Sequence, residues 1–74
     1  MNNARRDWLD LVIAKLEEQR KELAEIQSEE QLSYDMLPEN LCPSKRFQDN
    51  IDDLDSCISD LGDIIENLQE IVDR

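Results

Sequence analysis

The sequence predicts an all-α fold: an antiparallel two-helix hairpin that pairs with another copy of itself into a four-helix bundle. Three observations carry that reading. The 74 residues include one glycine and two prolines, and both prolines, Pro38 and Pro43, fall in one short stretch. Glycine and proline punctuate a chain, so their scarcity elsewhere predicts two long uninterrupted elements. Residues 44–73 then repeat apolar side chains at alternating steps of four and three, the period of a helix packed along a single seam. The connection between the elements, residues 36–43, is short enough to fold the second back along the first.

The first helix is expected over residues 3–35, in a stretch rich in Glu, Leu, Lys and Gln that favours helix over strand. Leu9, Val12, Leu16, Leu23 and Ile26 keep a seam, with Trp8 and Ile13 alongside. Gln19 interrupts it where an apolar residue is due, and the register continues through Glu30, Ser33 and Leu37. The last turns therefore lose their apolar stripe. Fraying towards solvent is the expectation there, and a half-buried polar notch at Gln27, Glu30, Gln31 and Ser33 is the alternative.

The turn, Met36 to Pro43, places Leu37 and Leu41 beside Phe47 to plug the tip, and Ser44 or Pro43 suits the start of the second helix. That helix, residues 44–73, has the clearest seam: Phe47, Ile51, Leu54, Ile58, Leu61, Ile65, Leu68 and Val72. A second line, Cys57, Ile64 and Ile71, widens the apolar face beyond what one helix covers. The oligomer interface is accordingly expected at Leu54, Cys57, Ile58, Leu61, Ile64, Ile65, Leu68 and Ile71, with a second copy of the chain as the first partner. A core this small is marginal alone. Cys57 reads as a small core residue and Cys42 as a loop filler.

Composition excludes several functions. Nineteen acids against eight bases give a net charge of −11, which repels nucleic acid phosphates and anionic lipid heads alike. Direct binding of double-stranded DNA and of membranes is therefore not expected. No apolar run approaches the ~20 residues of a membrane span, and a cytoplasmic location with reduced thiols is expected. There is no histidine, and two cysteines lack the paired spacing of a zinc site. From Asp53, a calcium loop would place Cys57 and Ile58 where a ligand and a glycine belong. A di-metal bundle needs Glu-x-x-His pairs, and nucleophilic cysteines need a neighbouring base. The chain reads as a non-enzyme without cofactors.

Charge is unevenly spread. From Asp49 to Asp73 the second helix carries nine acids and no base. Asp49, Asp52, Asp53, Asp60, Asp63 and Glu66 form a candidate acidic binding strip, read simply as a solvated helix face and read functionally as a phosphate mimic for a basic groove. The basic pairs Arg5-Arg6 and Lys45-Arg46 form a candidate anion or nucleotide pocket if two hairpins associate in opposite directions, since cations beside a helix start suit phosphate. The simpler reading pairs these bases with nearby acids.

The block from Glu29 to Arg46, with its Glu-Gln, Tyr34-Asp35, Pro38-Glu39 turn and Ser44-Lys45-Arg46, resembles small acidic helical-hairpin proteins encoded by phages and prophages of Gram-positive bacteria. The Asn-Ala-Arg-Arg opening is similar too, whereas Cys42-Pro43 and Phe47 depart from a more polar, glycine-containing version. The resemblance implies a phage-type interaction protein of a bacterial host's cytoplasm. The expected role is a counter-defence inhibitor acting by stoichiometric binding, either an anti-CRISPR-like mimic of nucleic acid that binds a host protein or a sequestrant of a signalling nucleotide. A structural or adaptor bundle for phage assembly or replication is the alternative.

Overall fold

The computed structural model describes residues 1–37 and 45–74. Two helices, α1 (Asn3–Asp35) and α2 (Lys45–Asp73), pack side by side, and the described residues contain no strand. Most of the expected turn, including Pro38, Leu41, Cys42, Pro43 and Ser44, lies outside the described residues.

Local chemistry sets the start of α1. Asn2 is its N-cap: Oδ1 accepts from the Arg5 N–H at 2.8 Å, and the Asn2 carbonyl accepts from the Arg6 N–H at 3.1 Å. These bonds satisfy donors that the first helical turn leaves without partners. At the other end the N–H of Met36 still bonds Leu32 at 3.0 Å, and that of Leu37 tightens onto Tyr34 at 3.2 Å. The expected fraying of α1 towards the tip is not what the structure has: the helix continues to Asp35, with Gln27 bonded across the hairpin and Gln31 bonded to Asp35 one turn on.

Hydrogen bonds across the hairpin fix an antiparallel register. Arg20 Nε donates to the Ile58 carbonyl and Gln27 Nε2 to the Ile51 carbonyl, each at 3.0 Å. Nearer the tip, Tyr34 and Phe47 meet edge to face, with ring centroids 6.4 Å apart. Between the two hydrogen bonds α1 advances seven residues and its partner on α2 recedes by seven. The inward line of α1 is thus Leu9, Ile13, Leu16, Arg20, Leu23, Gln27, Glu30 and Tyr34. The sequence register puts Val12, Gln19, Ile26 and Ser33 at alternate seam positions, and in the structure each gives way to its C-terminal neighbour. Leucines seven apart fit both registers, and the cross-helix hydrogen bonds of Arg20 and Gln27 decide between them. Gln27 and Glu30 do form a half-buried notch, whereas Gln31 and Ser33 are exposed.

The eight seam positions read on α2 face α1. Ile51 is buried, and its seam neighbours are half-buried. Gly62 has a packing reason. A Cβ there would stand 2.7 Å from Arg20 Nη2, so glycine makes room for a guanidinium lying flat on the helix.

The result is a rod of 60 × 14 × 12 Å with a radius of gyration of 17.3 Å, against about 11 Å for a compact domain of this length. Only Ile13 and Ile51 are buried among the described residues. The hairpin exposes 5961 Å², whereas a compact monomer of 8.7 kDa exposes about 4,700 Å².

The Arg20–Gly62 contact yields a stability prediction. Gly62→Ala removes a helix penalty of about 1 kcal/mol but displaces the guanidinium, losing an exposed hydrogen bond of about 0.5 kcal/mol. Urea denaturation should show a net gain of about 0.5 kcal/mol in the parent and about 1 kcal/mol in an Arg20→Ala background. Equal gains in both would mean that the guanidinium does not use that space.

Candidate binding surfaces

The two flanks of the hairpin differ in chemistry. On one flank the groove between the helices is lined by Glu30, Asn50, Asp53, Leu54 and Cys57. Seven-residue steps continue this flank along α2 as Asn50, Cys57, Ile64 and Ile71. Ile26 lies one turn before Glu30, and the same steps carry its line along α1 as Arg5, Val12, Gln19, Ile26 and Ser33. Neither line contains an acid, and the two carboxylates of the groove, Glu30 and Asp53, border it near the tip. Large apolar side chains stand open on this flank: Val12 is 38%, Ile26 50% and Ile64 49% exposed.

The other flank is polar. Its grooves are lined by Gln27, Gln31 and Ile51 near the tip and by Glu17, Arg20, Ala24 and Ile58 further along. Its lines are Asp10, Glu17, Ala24 and Gln31 on α1 and Gln48, Asp55, Gly62 and Gln69 on α2, with no large apolar residue. Leu11 and Leu32, both exposed, lie on the outer side of α1, away from α2.

This division sorts the sequence-derived interface. Leu54, Ile58, Leu61, Ile65 and Leu68 are half-buried against α1, and Ile71 is half-buried at the margin. Cys57 and Ile64 lie outside the pair, so the expectation of Cys57 as a core residue is corrected for the single hairpin. Trp8, expected beside the seam, is 70% exposed and lines an apolar groove with Met1, Arg5, Leu9 and Val12. The displaced register of α1 is what turns Trp8, Val12 and Ile26 outward. Sequence periodicity alone omits α1's share of this flank because it assigns Val12 and Ile26 to the seam.

Asp49, Asp52, Asp53, Asp60, Asp63 and Glu66 are all exposed on α2. Asp52 Oδ1 accepts from Gln48 Nε2 at 2.9 Å, one turn back on the same helix. The strip runs along most of α2 and lies away from the seam, except that Asp53 borders the groove between the helices.

The basic pairs are not brought together within one chain. Arg5 and Arg6 sit at the start of α1, whereas Lys45 and Arg46 begin α2 at the far end of the 60 Å rod. Arg5, Lys45 and Arg46 are exposed, and Arg6 is half-buried with Nε buried and without a hydrogen-bond partner. Arg46 lines a groove with Glu30, Phe47 and Asn50. Among the described residues no cluster of three or more His, Cys, Asp or Glu could hold a metal ion, and no helix is long and apolar enough to cross a membrane.

No protein-family model matches the chain, and no curated protein or solved structure does so either.

Proposed function

We propose that the chain is a non-catalytic binding protein that pairs with a second copy through its apolar flank, forming a four-helix bundle. The bundle then presents the acidic strip of α2 to a basic partner protein. The observation that carries this reading is the segregation of chemistry: Val12, Ile26 and Ile64 stand open on two acid-free lines of one flank, while most acids of α2 lie on its outer face. A face about 60 Å by 14 Å offers each copy on the order of 800 Å², the contribution typical of a stable protein interface. The surplus of exposed surface over a compact monomer points the same way.

The function we draw from this, together with the likeness to small acidic phage proteins, is counter-defence by stoichiometric inhibition. Carboxylates repeated along a rigid rod imitate backbone phosphates and occupy a nucleic-acid channel of a host nuclease, with electrostatic steering speeding the encounter. The nucleotide-sequestering form of the reading uses Arg5, Arg6, Lys45 and Arg46 instead and requires two chains. A second reading, an adaptor bundle for phage assembly or replication, is favoured by Trp8, whose exposure the acidic strip does not explain.

Two experiments test these statements. Ile64→Lys places a charge on the flank of both copies. Losing about 1.5 kcal/mol or more at each should raise the dimer's dissociation constant at least ~100-fold in sedimentation, and a parent protein that is monomeric at micromolar concentration would overturn the self-association. Reversing Asp52, Asp60 and Asp63, the strip residues away from the groove, to lysine should abolish inhibition of DNA cleavage across a panel of host nucleases while leaving the dimer intact. Unchanged inhibition would exclude mimicry. Loss of cyclic-nucleotide binding with Arg6→Ala or Arg46→Ala would instead identify the sequestering form.

A further inference from the structure

We infer that the second copy docks with its tip at the opposite end of the bundle, with a twofold axis crossing the flank at the level of Gln19 and Ser59. This rests on the self-association proposed above and goes on to fix its geometry.

The flank of α1 is palindromic about Gln19. At seven-residue steps it reads Arg5, Val12, Gln19, Ile26 and Ser33, polar at both ends, apolar at both intermediate positions and an amide at the centre. Apart from Leu11 and Leu32 on the outer side of α1, the exposed apolar side chains of α1 and its ends fall on either side of this centre. Met1 and Trp8 stand open beyond Val12, and Met36 beyond Ile26, while no exposed large apolar residue lies between Val12 and Ile26. In an isologous pair, if one residue meets a second, the second must meet the first. An axis at Gln19 therefore lays Val12 on Ile26 of the partner subunit and carries Met1 to within one residue of the level of the partner's Met36. The two central glutamines meet at the axis, where each amide can donate and accept.

The register of the hairpin transfers this axis to α2. Arg20 bonds Ile58 and Gln27 bonds Ile51, so the residue level with Gln19 on α2 is Ser59. The same axis then sets Ile64 level with Leu54 of the partner subunit and Cys57 level with Leu61 of the partner subunit. The open line of one α2 thus meets the seam of the other. If the tips instead lay at the same end, Ile26 would stand level with Asp52 of the partner subunit and beside the partner's Asn50, an apolar side chain against polar ones. The opposed arrangement avoids that mismatch. It also sets Glu30, one of the two carboxylates bordering the groove, within one turn of Arg5 of the partner subunit. Arg5 in turn comes level with Lys45 of the partner subunit, so that the basic pairs, at opposite ends of a 60 Å rod, combine at each end of the bundle. That composite site does not exist without the second copy.

Cysteine cross-linking and spin labelling test the axis in a Cys42→Ser, Cys57→Ser background. Gln19→Cys should form a disulfide-linked dimer as the main product of mild oxidation at concentrations where sedimentation reports dimer. Asn3→Cys carrying a nitroxide should give a separation of about 50 Å between copies, from about 16 residues on either side of the axis at 1.5 Å rise. A dimer in sedimentation that fails to cross-link at position 19 and places the Asn3 labels within about 25 Å would overturn the opposed geometry while leaving self-association standing. A monomer in sedimentation would overturn both.

Discussion

The hairpin depends on a mismatch between its two seams. Along α2 every seam position is apolar, whereas α1 answers with two unlike lines. One line, Leu9, Leu16, Leu23 and Leu37, is apolar except at Glu30; the other, Arg6, Ile13, Arg20, Gln27 and Tyr34, is largely polar. The polar line can face α2 only where a backbone carbonyl or open space receives it. The Ile58 and Ile51 carbonyls and the bare surface of Gly62 provide both. Apolar contact is thereby pushed towards the leucine line, and the hairpin becomes two-faced.

The two-faced section explains the distribution of charge. Nineteen acids placed at random on a chain of this length would oppose the self-association proposed above. Apart from Glu30 and Asp53 at the groove, acids occur on the polar flank and on the outer faces, while the lines that hold Val12, Ile26, Cys57 and Ile64 have none. A desolvated carboxylate at a dimer interface would cost several kcal/mol unless paired, so acid-free lines fit a surface that leaves water. The same separation leaves the exposed acids of α2 in water.

The fold is more legible in the sequence than the surfaces built on it. Eight seam residues in α2 determine its orientation because no alternative register is apolar throughout. In α1, leucines at seven-residue steps satisfy two registers equally well. The choice falls to Arg20 and Gln27, side chains that the sequence register leaves off the seam and that tertiary hydrogen bonds turn into anchors. That single ambiguity accounts for the misplacement of Trp8, Val12 and Ile26. The acidic strip can be read directly, since residues opposite a well-defined seam face outward. The basic pairs cannot be joined by any reading of one chain, because the register places them at opposite ends.

Polar anchors in a thin seam also bear on why the hairpin holds one register rather than several. A uniformly apolar α1 would bury more surface, but its heptads could slide along α2 by one repeat with little change in contact. Arg20 resists such a slide, because a step of seven residues sets its guanidinium against Asp55 or Gln69 in place of Gly62. Asp55 would attract the charge, but its side chain stands where the guanidinium needs bare helix, and an exposed ion pair recovers little. A polar group at a seam position that is satisfied in only one register trades some stability for uniqueness. Uniqueness matters here because the flank is built from both helices. A slip of one repeat would move Val12 and Ile26 about 10 Å along the rod relative to Cys57 and Ile64. Gln19 would then stand level with Asp52 or Glu66 instead of Ser59, and the two halves of the flank would no longer share the proposed twofold axis. The hydrogen bonds that weaken the seam as a hydrophobic contact are therefore what hold the outer surface together as one.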